Sequence, residues 1–191
     1  MQTQSFLTAL RDAPLNQDEI RSMLSSAVGA GSSEFRKAVE QVAAESEQNP
    51  SLAVRAGIGF FLLGQAEKAE AALSGCKEGI GRYYLAKALS TQGKYEQAVK
   101  EFEAAAKAGY QPIESTLLSA GCLRKLGQLE EAEKVIRSTG AEGARLAEYS
   151  YQMGCILADR GDSFGAIEYF ERAVDMDPNH QRALFALAVQ S

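Results

Sequence analysis

The segment Met153–His180, "MGCILADRGDSFGAIEYFERAVDMDPNH", sets small residues at fixed places among apolar ones, at Gly154, Gly161, Ala166 and Ala173, before a closing Asp177-Pro178-Asn179. Gly161 is its marker: steps of 34, 34 and 29 residues toward the N-terminus reach Gly127, Gly93 and Gly64. A period of that size is the signature of a solenoid of stacked helical units. Five residues after the markers stand Ala69, Ala98, Ala132 and Ala166, and seven before them Gly57, Ala86, Ala120 and Gly154. In a helical hairpin that turns at the marker glycine, these small residues face one another and let the backbones approach. A larger side chain there meets an overpacking cost of about 1–3 kcal/mol. Leu73, Phe102, Ile136 and Phe170, one turn past each Ala on the same face, fill the space beside the contact. The marker glycine supplies a left-handed helix stop.

Composition agrees with an all-α chain. Of 191 residues 46% are hydrophobic, enough for a real core, while only 4 are Pro and none is Trp. Ala, Leu, Glu, Lys and Gln dominate, and alternating Val, Ile and Thr are missing. A net charge of -5 argues against nucleic acid as a partner, because phosphate binding needs clustered Lys and Arg. Cys76, Cys122 and Cys155 form no disulfide or C-x-x-C pattern and read as buried fillers in a reducing compartment. No basic start followed by a long apolar core is present, and no apolar run is long enough for a bilayer. The expectation is a cytoplasmic chain with no membrane partner.

The repeated positions resemble the tetratricopeptide repeat, a helix-turn-helix unit of about 34 residues. The unit Ala147–His180 matches best, through Met153-Gly154, Leu157, Gly161, Ala166, Phe170, Ala173 and Pro178. Residues 79–112 match through Leu85, Ala86, Leu89, Gly93, Ala98, Phe102 and Ala105; residues 113–146 keep Ala120, Leu123, Gly127, Ala132 and Ile136 but carry Thr139 where Ala is usual. The unit 50–78 is five residues short, which clips its second helix. The resemblance implies a right-handed solenoid of stacked antiparallel helix pairs over 50–180. Residues 1–49 hold N-terminal helices and a degenerate unit, with Asn16-x-x-Glu19 as a capping box and Gly29 and Gly31 at its turn. Met1–Leu15 is either a short packed helix or a frayed tail. Residues 181–191 read as a terminal helix, equivalent to the first helix of a further repeat.

The family's first helices line a concave groove that takes peptides or helices of partner proteins. Carried onto this sequence, the groove positions include Ile58, Phe61, Tyr83, Lys87, Leu117, Arg124, Tyr151, Asp159 and Phe185. Tyr and Arg suit interface hot spots. The competing reading of the apolar members is that they pack between helices, since groove and core positions adjoin. The family's carboxylate clamp, Lys and Asn at the fifth and ninth positions, is replaced by Val54 and Ile58 and then by Tyr83 and Lys87, so a chaperone-tail ligand is not expected. His180, the one histidine, follows Asp-Pro-Asn and reads as a solvated turn residue. No metal site, cofactor loop or catalytic triad is legible, so the expectation is a non-catalytic protein-interaction scaffold without cofactor. The alternatives are an assembly module self-associating through residues 181–191, and a regulatory fragment of a larger protein.

Overall fold

The structure is a computed structural model that describes residues 2–190, and among them there is no strand. The chain divides into two compact units, Met1–Lys94 and Tyr95–Ser191.

In the first unit, α1 (Gln2–Asp12), α2 (Gln17–Val28) and α3 (Ser32–Ser46) precede α4 (Ser51–Leu62), α5 (Ala66–Leu73) and α6 (Gly79–Thr91). Helix α1 is a packed helix. It buries Leu7 and Leu10, and Phe6 meets Phe35 of α3 edge to face at 5.7 Å. Arg55 of α4 donates to the Leu10 and Ala13 carbonyls at 3.2 and 2.6 Å, satisfying orphan acceptors at the end of α1. The Asn16 side chain caps α2, accepting from the Glu19 N–H at 2.9 Å. Gly29 and Gly31 differ from the marker glycines: their φ values are -87° and -89°. Gly31 lies instead against the Phe6 ring, where a Cβ would stand 3.2 Å away.

Helices α4 and α5 form a hairpin that turns at Gly64, whose φ is 73°. The Gly64 N–H bonds the Phe61 carbonyl and the Gln65 N–H bonds the Phe60 carbonyl, each at 2.9 Å. This Schellman pair closes the helix, and a left-handed residue is required at its centre. Gly57 leaves no room for a Cβ against Leu73. Helix α5 has 8 residues, against 14 in the second helix of the last hairpin.

The second unit contains α7 (Tyr95–Lys107), α8 (Pro112–Lys125), α9 (Leu129–Ser138), the short α10 (Gly140–Gly143), α11 (Ala147–Asp159), α12 (Ser163–Met176) and α13 (Gln181–Gln190). The same closure recurs after α8 and α11, at Gly127 (φ 76°) and Gly161 (φ 85°). One core cluster joins α8, α9 and α11 through Leu117, Ala120, Leu123, Ala132, Ile136, Met153 and Ile156; a second gathers Cys155, Ala166 and Phe170. At the α11–α12 crossing, a Cβ on Gly154 would stand 2.6 Å from Phe170 Cε1 and 3.1 Å from the Ala166 carbonyl oxygen. The small residue therefore makes room for the aromatic ring as well as for the opposing backbone, not for Ala166 alone. The Asp162 side chain caps α12, accepting from the Gly165 N–H at 3.0 Å.

Among the described residues no helix is long and apolar enough to cross a membrane, and no group of three His, Cys, Asp or Glu could hold a metal ion.

Candidate functional site

Tyr151, half-buried on α11, lies where side chains from α8, α11, α12 and α13 converge. The Phe170 ring of α12 is tilted against it at 6.0 Å, and the His180 ring at 5.1 Å. The Arg182 guanidinium of α13 sits over its face, 4.8 Å from the ring centroid, in a cation–π contact. Arg124 of α8, with only 13% of its side chain exposed, donates to Asp159 of α11 at 2.7 Å. Two charge pairs thus bridge neighbouring elements beside one aromatic ring: Arg124–Asp159 joins α8 to α11, and Arg182–Glu148 joins α13 to α11. Each cation already has a carboxylate.

Burial pushes the Tyr151 phenol up to about 12, with the Cys155 thiol adding to the shift, while Arg182 and Arg124 pull the other way. Burial likewise pushes the Cys155 thiol up, against the opposing charge of Arg124. An ultraviolet titration of the native chain and Tyr151→Phe should differ by one tyrosine that ionises near pH 12 rather than in the ordinary range near 10. A difference centred near pH 10 would show an open, solvated ring.

Glu148 is the anchor of this arrangement. Only 14% of its side chain is exposed, and its carboxylate accepts from Arg182 at 2.5 Å and from Gln152 at 2.7 Å, with His180 Nε2 at 3.3 Å. Burial works against its charge, but the His180 hydrogen bond, the Arg182 charge and the Gln152 amide outweigh it and hold the carboxyl below the usual range. A carboxyl lowered on folding stabilises the fold above its unfolded value and loses that contribution as pH falls through the folded one. Glu148→Gln should cost about 1.5–3 kcal/mol near neutral pH, the range for hydrogen bonds to a charged group. Urea denaturation at neutral and acid pH checks this: the two proteins should converge as the native carboxyl protonates.

Arg124, Tyr151 and Asp159 come together in the second unit. Phe185, 72% exposed, lies three residues past Arg182 on the same side of α13. Phe61, Tyr83 and Lys87 gather in the first unit, where the Lys87 ammonium stands 5.4 Å from the Phe61 ring, 5.2 Å from Tyr83 and 5.8 Å from Tyr84. Ile58 and Leu117 are corrected: both are 0% exposed, and Leu117 packs in the α8–α9–α11 core. Tyr83 is buried as well, at 3%. Core and groove positions are neighbours on a helix, so a small error in register exchanges them. His180 is also corrected. Only 10% of its side chain is exposed, and its Nδ1 accepts from the Ala183 N–H at 3.1 Å. The signal available was its place immediately before a helix, the capping position.

A tetratricopeptide repeat pattern matches residues 83–143, and another matches residues 147–180. No curated protein matches in sequence. Among solved structures, YrrB, described as a TPR protein with an unusual peptide-binding site, is similar with a TM-score of 0.64 at 19% identity, over 96% of this chain and 98% of that one. The Cut9–Hcn1 hetero-tetramer of APC/C is similar with a TM-score of 0.72 at 15% identity, over 98% of this chain and 41% of that one. A thermophilic TPR protein of Thermus thermophilus gives 0.64 at 14% identity, over 90% of this chain and 98% of that one. At these identities the likeness is one of fold. With its repeated hairpins closed at left-handed glycines and both patterns matched, the chain belongs to the tetratricopeptide repeat family, all-α solenoids that generally act as protein-interaction scaffolds.

Proposed function

We propose that the chain is a non-catalytic, cytoplasmic scaffold that binds a peptide or helix of a partner protein in the family's groove, and that its ligand surface includes Arg124, Tyr151, Asp159 and Phe185. The observation that carries this reading is the Tyr151 ring, fixed by Phe170, His180 and Arg182 and followed along α13 by the exposed Phe185. A preorganised aromatic beside an exposed one suits an apolar or aromatic side chain of the ligand. Because Arg124 and Arg182 are already neutralised, an acidic tail gains little from them. Phe61 and Lys87 form a second contact patch in the first unit, while Ile58, Tyr83 and Leu117 support the helices beneath. Selection of peptides from a displayed library tests this. Ligands selected on the native chain should lose at least about tenfold in affinity for Phe185→Ala, as for a hot-spot truncation, and keep it for Phe164→Ala, an 85% exposed site on α12. Equal affinity for all three proteins would refute the assignment.

Self-association through residues 181–191 is the second reading. Leu184, Phe185 and Val189 of α13 are 43%, 72% and 65% exposed. Light scattering over a concentration series, with Leu184→Glu as the comparison, distinguishes it: only self-association makes the mass of the native chain rise while the variant stays monomeric.

A further inference from the structure

Three aromatic rings of the first unit surround one ammonium. Tyr83 and Tyr84 are successive residues of α6, and Lys87 stands one turn on from both, so its side chain shares their face. Phe61 comes from the last turn of α4. The rings are crossed rather than stacked: Phe61 meets Tyr84 at 5.5 Å and 63°, and Tyr84 meets Tyr83 at 5.3 Å and 82°. The Lys87 ammonium stands over all three at similar distances, 5.4 Å from Phe61, 5.8 Å from Tyr84 and 5.2 Å from Tyr83. A cation so placed is drawn to the negative face of each ring. Lys68 over Phe60 and Arg182 over Tyr151 are one-ring contacts, and their charges go to Glu40 and Glu148. The two tyrosines are buried while Phe61 and Lys87 are half-buried, so the enclosure reaches the surface at Lys87 and Phe61.

We propose that Phe61, Tyr83 and Tyr84 form an aromatic cage for an alkylated ammonium, the methylated lysine of a partner protein, and that Lys87 is its resident occupant, displaced when the ligand enters. Exchange of one ammonium for another keeps the attraction of the rings, so hydration decides which cation is held. The primary ammonium of Lys87 is strongly hydrated, and it regains water when its flexible stem swings outward. A methylated ammonium has less hydration to lose on entry and lays apolar methyl groups against the rings. The net charge of -5 also draws cationic ligands toward the chain. That a partner protein supplies the group rests on the function proposed above; the cation site does not.

Titration of the full chain with choline, followed by NMR of its aromatic rings and of the choline methyl protons, tests the cage. Lys87→Ala removes the competing ammonium and should bind choline about tenfold more tightly than the native chain, the scale of a partly desolvated cation–π contact. Lys87→Gln, uncharged and of nearly the original length, should gain in the same direction. The neutral isostere of choline, with tert-butyl in place of trimethylammonium, should bind Lys87→Ala at least about tenfold more weakly. Adding Phe61→Leu should remove most of the gain. On the native chain, capped trimethyl-lysine should be preferred to capped lysine. Equal binding of choline and its neutral isostere, or no gain in either Lys87 variant while circular dichroism shows both folded, would overturn the proposal. Preference for phosphocholine over capped trimethyl-lysine would overturn the protein source. Choline binding alongside failed peptide selection would leave the cage standing and remove only its use by a partner; selected peptides without a choline site would remove the cage and leave the groove.

Discussion

Phe170→Ala should destabilise the second unit by about 3–5 kcal/mol, the range for deleting a fully packed aromatic. Phe170 is 2% exposed and is shared by four residues: it fills the space beside Gly154, packs with Cys155 and Ala166, and backs the Tyr151 ring. Little of the cavity can collapse, because Gly154 has no side chain to move into it. Urea denaturation followed by circular dichroism measures the loss. The same variant should lower the Tyr151 ionisation toward the ordinary range, since water reaches a ring that has lost its backing. A loss below about 1 kcal/mol would mean that the hairpin is not closed around this ring.

Gly154→Leu should be comparably damaging for the opposite reason. Its Cβ alone would stand 2.6 Å from Phe170 Cε1 and 3.1 Å from the Ala166 carbonyl oxygen, and the branched end has nowhere to go. Gly154→Ala is the graded case. Helix propensity returns up to about 1 kcal/mol, against about 1–3 kcal/mol for overpacking. A net loss is expected, smaller than that of Leu. The double variant Gly154→Leu with Phe170→Ala exchanges large for small across one contact, so it should be more stable than the sum of the single losses implies. Additive losses would show that the two residues do not meet.

The hairpins were legible in the sequence because their turns place an unusual demand on the backbone. At Gly127 and Gly161 the chain adopts φ of 76° and 85°, conformations that L side chains rarely take, and a fixed period of glycines records that demand directly. Gly154 was legible as small and Phe170 as the filler beside its contact with Ala166, whereas the order of approach was not: a Cβ there would meet the Phe170 ring at 2.6 Å before the Ala166 carbonyl oxygen at 3.1 Å. Helix α1 was ambiguous because what holds it is distant in sequence. Phe35 meets Phe6, and Arg55 reaches the Leu10 and Ala13 carbonyls. The candidate site was half legible. Tyr151, Arg124 and Asp159 converge, but that Arg124 and Asp159 neutralise each other follows only from the packing of α8 on α11. Ile58 and Leu117 fell to a register ambiguity that apolar residues cannot break, since Leu fits a groove and a core equally well. His180 was hidden by its turn context, and its buried acceptor role appears only once α13 and α11 lie together.

The most direct test of the central claim is hydrogen exchange on the full chain with and without a saturating library-selected peptide. Within the second unit, slowed exchange should fall on α8, α11 and α13, the helices that carry Arg124, Tyr151, Asp159 and Phe185, and should leave the outer turns of α9 and α12 unchanged. Protection confined to α9 and α12, with α11 and α13 unaffected, would contradict the account.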